Sequence, residues 1–169
     1  ILIKNRSVVK NSKGHNIVMS RYSEVCVMDG IGQERARYKL PYGSRLLVDD
    51  GNHVKPGDKM AEWDPYTLPV ISEVSGMVHY VDLVDGLSMR EALDEATGLT
   101  KRVVADWKQY TRAADLKPRL VLRDKEGNHL LFANGAEARY FLSVDAVLVV
   151  ENNAKIHAGD IVARIPRES

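Results

Sequence analysis

The sequence predicts a mostly β fold made of two small, related β-domains with one or two short helices. Three observations support this prediction. Short apolar runs rich in β-branched residues recur along the chain, turn residues such as Asp49-Asp50-Gly51 and Pro56-Gly57 separate them, and one block of sequence is repeated. Short runs at such close spacing are typical of antiparallel β-proteins.

Length and composition indicate ordinary globular domains. A chain of 169 residues can form one domain or two small ones, and 44% hydrophobic residues are enough to bury real cores. The 24 basic and 23 acidic residues leave a formal charge of +1, which disfavours an electrostatic nucleic-acid binder. No apolar run approaches the roughly 20 residues that span a membrane.

The single cysteine indicates the compartment of the protein, and the first residues indicate that the chain belongs to a longer protein. Cys26 is the only cysteine, so an intramolecular disulfide is excluded and a reducing, cytoplasmic compartment fits best. The chain opens with ILIKNRSVVK, without an initiator Met or a signal-peptide core. We therefore expect it to be a piece of a longer protein.

Two stretches of the chain are compatible with helix. Residues 87–98 place Ser88 as an N-cap with Glu91 three residues further on, which is the spacing of a capping box. Residues 105–118 contain few β-branched residues and end at Pro118. These two stretches are the predicted short helices.

Residues 36–63 recur at a constant offset of 102 as residues 138–165, with nine identical positions and no gap. Average residue usage gives only about two chance matches. An Asp-x-x-Gly motif also occurs twice, from Asp29 and from Asp124. Two copies of one β-domain account for the repeat. The predicted domains are residues 1–95 and 96–169, and strand exchange between them is left open. The identical pairs are Ala36/Ala138, Arg37/Arg139, Tyr38/Tyr140, Leu40/Leu142, Leu46/Leu148, Val48/Val150, Gly57/Gly159, Asp58/Asp160 and Ala61/Ala163.

The segment Lys55-Pro56-Gly57-Asp58 is predicted to form a tight turn, because proline suits its second position and glycine its third. With Lys59 directly after it, this turn is similar to the hairpin of a biotin- or lipoyl-carrying domain, whose lysine is modified. The second copy has Ile161 in place of Lys59, which favours a structural turn over a carrier site. Strand alternation puts Lys59, Ala61 and Trp63 on one face, which the second copy predicts to be a core face.

The residue types that carry out catalysis form no recognisable constellation. The five histidines lack the spacing of metal ligands, and one cysteine cannot form a zinc cluster. Cys26 lies in an alternating strand pattern and is expected to be buried and inert. Asp94 and Glu95 are expected in a capping or turn role, and Trp63 and Trp107 as core or interface anchors. No catalytic, cofactor-binding or metal-binding residue is therefore predicted.

Several segments closely resemble the β′ subunit of bacterial DNA-directed RNA polymerase. The most distinctive are AEWDP, PVISEVSG and GDIVARIPRES, and the resemblance covers nearly all 169 residues. It is closest to the large lineage-specific insertion in the trigger loop of proteobacterial-type enzymes. That resemblance implies two sandwich–barrel hybrid domains, small β-folds related in shape to biotinyl and lipoyl carriers, which accounts for the carrier-like turn.

The resemblance implies a regulatory, non-catalytic role in transcription. The catalytic NADFDGD motif of the polymerase and its zinc-binding cysteines do not occur in the sequence. The parent nucleotidyltransferase is thus expected to hold its magnesium and zinc elsewhere, and this chain is expected to hold no cofactor. Because the trigger loop folds over the incoming nucleotide, the insertion is expected to modulate nucleotide addition, pausing and transcript cleavage.

The same resemblance implies partners and a location. The β subunit and the remainder of β′ are the expected partners, with transcript-cleavage or elongation factors as further ones, at most transient DNA contact and no membrane contact. The expected location is the cytoplasm, associated with the nucleoid as part of polymerase. Two alternatives stay open from the residues: a carrier domain with Lys59 modified, and an interaction scaffold unrelated to transcription.

Overall fold

Short strands dominate a computed structural model of the chain, which describes residues 1–93 and 97–167. Sixteen strands and two 3₁₀ helices occur among these residues. The strands form four antiparallel sheets, two in each of two compact units, Ile1–Asp64 and Pro65–Ser169. The prediction of a mostly β fold is therefore confirmed. No helix of the described residues is long and apolar enough to cross a membrane.

The first unit contains seven strands in two sheets. One sheet has the order β1-β4-β5, and the other has the order β2-β3-β6-β7. Five side chains form its buried core: Ile3, Val18, Val25, Leu40 and Leu46. The strands are β1 (Leu2–Lys4), β2 (Val8–Lys10), β3 (Asn16–Val18), β4 (Glu24–Met28), β5 (Glu34–Lys39), β6 (Arg45–Leu46) and β7 (Ala61–Glu62).

The second unit has a larger core and two more strands. Its five-stranded sheet has the order β10-β11-β14-β16-β8, and its four-stranded sheet has the order β13-β12-β9-β15. Val78, Val104, Trp107, Leu120 and Leu122 are among the side chains buried in its core. The strands are β8 (Thr67–Ile71), β9 (Gly76–Val81), β10 (Met89–Leu93), β11 (Thr100–Val104), β12 (Arg119–Arg123), β13 (Arg139–Phe141), β14 (Val147–Leu148), β15 (Lys155–Ile156) and β16 (Ile161–Pro166).

The two units repeat the same strand pairing in the same register. Leu46 pairs with Ala61 in the first unit, and Leu148 pairs with Ala163 in the second, at the 102-residue offset of the sequence repeat. The pairs β1–β4 and β4–β5 are likewise repeated by β9–β12 and β12–β13. Two of the identical pairs of the repeat, Leu46/Leu148 and Ala61/Ala163, thus occupy the same register positions, and a one-residue slip would turn apolar side chains away from the core.

The repeated Asp-x-x-Gly motifs form the same turn in both units. The carboxylate of Asp29 accepts hydrogen bonds at 3.0 and 2.9 Å from the amides two and four residues further on, and Asp124 accepts the same pair at 3.0 and 2.9 Å. Gly32 and Gly127 have φ values of 84° and 87°, a region that glycine adopts without a steric penalty. The first turn joins β4 to β5, and the second turn follows β12 and leads to the bridge between Arg123 and His129.

The division between the units lies between Asp64 and Pro65, whereas the sequence predicts a boundary between residues 95 and 96. Strand pairing explains this difference. β8 pairs with β16, and β9 pairs with both β12 and β15, so these early strands are built into the second unit. Residue 95 itself lies outside the described residues.

The predicted helix at residues 87–98 is wrong where the structure describes it. Met89–Leu93 is strand β10, and it pairs with β11 along its whole length. Ser88 is buried in the preceding turn, where its hydroxyl donates to the carbonyl of Asp82 at 2.6 Å and accepts from the amide of Val84 at 2.8 Å. Cross-strand pairing therefore overrides the helix propensity of these residues, which is on the order of tenths of a kcal/mol per residue.

The second predicted helix, over residues 105–118, is present only as two 3₁₀ turns, Trp107–Gln109 and Thr111–Ala113. Asp106 begins the first turn by accepting a hydrogen bond from the amide of Lys108 at 3.3 Å. Trp107 and Ala113 are both buried in the core of the second unit. Short turns bring these two side chains inward, so a continuous helix does not form.

We expect Gly76→Ala to destabilise the protein by about 1–3 kcal/mol, the usual cost of overpacking. A Cβ at Gly76 would lie 2.9 Å from the carbonyl oxygen of Arg123 and against the side chain of Leu130. Gly30→Ala is the matched control, because a Cβ there meets nothing within 4 Å. Urea unfolding measures both variants, and equal free energies of unfolding would contradict the close approach at Gly76.

Candidate functional site

The carrier-like turn before β7 is held by its own backbone and by an aspartate. The amide of Lys55 donates to the Asp58 carboxylate at 2.8 Å, the amide of Asp58 donates to the Lys55 carbonyl at 3.0 Å, and Gly57 has φ 91°. The corresponding turn that ends at Asp160 has the same two bonds at 2.9 and 3.0 Å, with Gly159 at φ 89°. The conserved geometry of the two copies explains why their glycine and aspartate are identical.

Lys59 lies on the surface beside this turn. Its side chain is 67% exposed, and its ammonium nitrogen lies 3.4 Å from the Glu62 carboxylate. Ala61 packs against the core as predicted, but Trp63 is 52% exposed. Of the three residues predicted to share a core face, only Ala61 packs against the core, whereas Lys59 and Trp63 are exposed.

The remaining candidate residues are placed as single groups. Cys26 is fully buried as expected, and burial raises the pKa of its thiol, with the Glu34 carboxylate raising it further. Trp107 is a core residue. Asp94 and Glu95 lie outside the described residues. Among residues 1–93 and 97–167, no group of three or more His, Cys, Asp or Glu side chains is placed to hold a metal ion.

The ion pairs of the described residues join exposed or half-exposed side chains, and some of them link loops. Arg6 makes a two-pronged contact with Asp49, at 3.0 and 2.9 Å, which ties the β1–β2 connection to the loop after β6. His129 lies 2.8 Å from the Glu137 carboxylate across the hairpin that follows β12. Exposed pairs of this kind contribute little to stability, typically about 0–1 kcal/mol. We interpret these ion pairs as structural contacts between neighbouring segments.

The concave surfaces of the first unit surround its residues 51–54. A groove of about 610 Å³ lies between these residues and the Asp58-Lys59 turn. A second groove of about 400 Å³ lies on their other side, against Ile1 and the loop at Asp29. The exposed Trp63 directly follows β7, and no apolar run in the sequence pointed to these surfaces.

The fold and the described sites define a duplicated β-module that offers surfaces and turns for contact. Among relatives, the chain is 50% identical over all 169 residues to a segment of DNA-directed RNA polymerase subunit beta' of Ehrlichia chaffeensis (strain ATCC CRL-10679 / Arkansas), and it spans 12% of the length of that protein. The resemblance to a segment of a bacterial β′ subunit is thereby confirmed. No protein-family model matches the chain.

We expect no adduct on Lys59 when the chain is expressed beside a biotin or lipoate ligase. The equivalent position in the second, otherwise matching turn is Ile161, so the turn does not require a lysine. Intact-mass measurement tests this, with a carrier domain modified in the same cells as the positive control. A mass increase that disappears in Lys59→Arg would instead establish the carrier interpretation.

We expect the acid sensitivity of the protein to depend on Asp29 and Asp124. Hydrogen bonds from backbone amides, first of all those of Gln33 and Asn128, hold the pKa of both carboxyls below the ordinary value. Their contribution to stability is therefore complete above the unfolded-state pKa of about 3.9 and is lost as pH falls through the lower folded-state pKa.

The double variant Asp29→Asn/Asp124→Asn keeps an acceptor oxygen in each turn but cannot ionise. Urea unfolding from pH 7 down to pH 2 should show a smaller loss of stability for this variant than for the unchanged chain. Glu73→Gln, at an exposed position, is the control for removing a carboxylate. Identical pH profiles of the double variant and the unchanged chain would contradict the prediction.

Proposed function

We propose that the chain is a non-catalytic regulatory insertion in the trigger loop of a bacterial RNA polymerase β′ subunit, built from two sandwich–barrel hybrid domains. The observation that carries this proposal is the 50% identity over all 169 residues to a segment that is only 12% of a β′ subunit. The division into two compact β-units, each with its own core, supports it. Such units can be inserted in a larger polypeptide without sharing its core.

The proposed mechanism is mechanical. The trigger loop folds over the incoming nucleotide, so a module inserted in it has to change position when the loop folds. Contacts that the module makes in only one position favour that state of the loop, since a shift of an equilibrium requires a difference in binding between its states. A difference of about 1.4 kcal/mol changes the ratio of the two states tenfold. Nucleotide addition, pausing and transcript cleavage depend on this ratio.

In this proposal the chemistry belongs to the rest of the polymerase. The parent nucleotidyltransferase uses magnesium and binds zinc elsewhere, and the module contributes no catalytic residue. Its partners are the β subunit, the remainder of β′, and transcript-cleavage or elongation factors, within the nucleoid-associated enzyme of the cytoplasm. DNA contact is transient, because a formal charge of +1 supplies little attraction to phosphates.

The test replaces Ile1–Ser169 in the parent polymerase by a short flexible linker. Single-nucleotide addition, pause lifetimes and intrinsic transcript cleavage are then measured on one template. We expect RNA synthesis to persist, with at least one of these rates changed by a fewfold or more, because the trigger-loop equilibrium loses its bias.

The control is the unmodified polymerase purified in the same way, and size-exclusion chromatography establishes that both enzymes are assembled. Loss of synthesis in an assembled enzyme would mean that the chain contributes directly to the active site. Unchanged addition, pausing and cleavage would contradict a regulatory role in the trigger loop and would favour an unrelated scaffold.

A further inference from the structure

One connection between strands is much longer in the second unit than in the first. Arg102 pairs with Leu148 as Asn16 pairs with Leu46, so β11 is the counterpart of β3. β12 is likewise the counterpart of β4, because each pairs with the strand that carries the repeated Arg-Tyr sequence. Residues 105–118 therefore stand in the second unit where the first unit has only residues 19–23.

The longer connection builds an apolar groove. A concave surface of about 350 Å³ lies between residues 107–108 and 116–118 of this connection and residues 141–144 at the end of β13. We call it the Trp107 groove. All of its lining residues belong to the second unit, and six of them are apolar: Trp107, Leu116, Pro118, Phe141, Leu142 and Val144.

Phe141 presents an aromatic ring at this groove where the first unit has a lysine. Its side chain is 56% exposed, and the guanidinium carbon of Arg139 lies 5.2 Å from the centroid of the ring. The equivalent residue of the first unit is Lys39, at the 102-residue offset of the repeat. An apolar surface that is continuous and rimmed by polar groups, unlike a single exposed side chain, is typical of a protein interaction site.

Trp107 brings a hydrogen-bond donor without an acceptor to the same place. The residue is 7% exposed, and its indole Nε1 has no acceptor among the described residues. A buried donor that lacks an acceptor costs about 1–3 kcal/mol. A carbonyl oxygen that reached this nitrogen after a small side-chain movement would remove the cost. A polypeptide segment, which carries free carbonyl oxygens, therefore suits the groove better than a purely apolar molecule.

The rim of the groove sets the charge of its occupant. Its charged lining residues are Lys108 and Lys117, both exposed, and the Lys108 ammonium lies 5.4 Å from the centroid of the Trp107 ring. The carboxylates of Asp106 and Asp82 accept hydrogen bonds from the backbone amides of these two lysines, at 3.3 and 3.0 Å, and neither aspartate lines the groove. A segment with carboxylates beside an apolar side chain complements this surface, whereas a basic segment is repelled.

We propose that the Trp107 groove is a docking site for an acidic segment of a partner protein that carries an apolar anchor. The anchor packs against Phe141 and Leu116, and the carboxylates on either side of it face the two lysines. An apolar centre with a polar rim is the usual anatomy of a protein interface. The proposal requires only the fold of the second unit and does not rest on the function proposed above. A second copy is disfavoured, since a formal charge of +1 gives no net attraction between copies.

The test follows the indole N–H resonances of the isotope-labelled 169-residue chain by NMR. The chain has two tryptophans, so Trp63→Phe assigns both resonances. The probe is the synthetic peptide DELFDE. We expect it to shift the Trp107 resonance saturably and to leave that of Trp63 unchanged. The peptides KKLFKK and DEGSDE, which reverse the charges or remove the apolar pair, are the controls and should cause no shift.

Surface variants locate the site. Phe141→Lys introduces the residue that the first unit has at this position and should weaken binding of DELFDE by about tenfold or more. The double variant Lys108→Glu/Lys117→Glu should lose binding of DELFDE and gain binding of KKLFKK. Lys125→Glu/Lys155→Glu changes the charge equally at two exposed positions outside the groove and is the matched control. The amide spectrum of each variant establishes that it is folded.

Each other outcome would overturn the proposal. Absence of a Trp107 shift would show that the groove accepts no segment of this chemistry. A shift that both groove variants leave unchanged would place the peptide elsewhere. A Trp107 shift that depends on protein concentration without peptide would assign the groove to a second copy. Binding of labelled DELFDE by the chain but not by the assembled parent polymerase, measured by fluorescence anisotropy, would assign the groove to another segment of that enzyme.

Discussion

The register between β6 and β7, and its repetition between β14 and β16, is the constraint on which the rest of the structure depends. Leucine opposite alanine sets this register in both units, at Leu46–Ala61 and at Leu148–Ala163. The pairing directs one face of each sheet to a core and sets the position of the tight turn that ends at Asp58 or Asp160. Because register has a period of two residues, no intermediate alignment would keep the same side chains buried.

One repeated fold therefore presents two different surfaces. The second unit covers its β16 edge with β8 and buries Gly159 of the tight turn, whereas the equivalent Gly57 of the first unit is exposed. The two copies share the leucine and the alanine that pair across the sheet, whereas other positions of the repeat differ. The exposed Trp63, at the position of the packed Ile165, shows this divergence most directly.

Several side chains of the module have structural roles in the described residues. Its titratable groups serve turns and surface ion pairs, as at Asp29 and Asp124, and its cysteine is buried with a raised pKa. The chain is similar over its whole length to a segment of a β′ subunit of DNA-directed RNA polymerase. In the function proposed above, contacts that the module makes in only one state of the trigger loop provide the difference in contact free energy that regulation requires.

The sequence by itself determined the mostly β class, the duplication, the two repeated turns and the burial of Cys26. These depend on local turn chemistry and on the alternation of apolar residues, which the sequence contains directly. Tertiary structure decided the rest. Met89–Leu93 became a strand because β11 lies beside it, and β8 and β9 joined the second unit because their partners lie there. Each of these outcomes depends on a partner strand outside the segment itself, and local propensity does not contain that information.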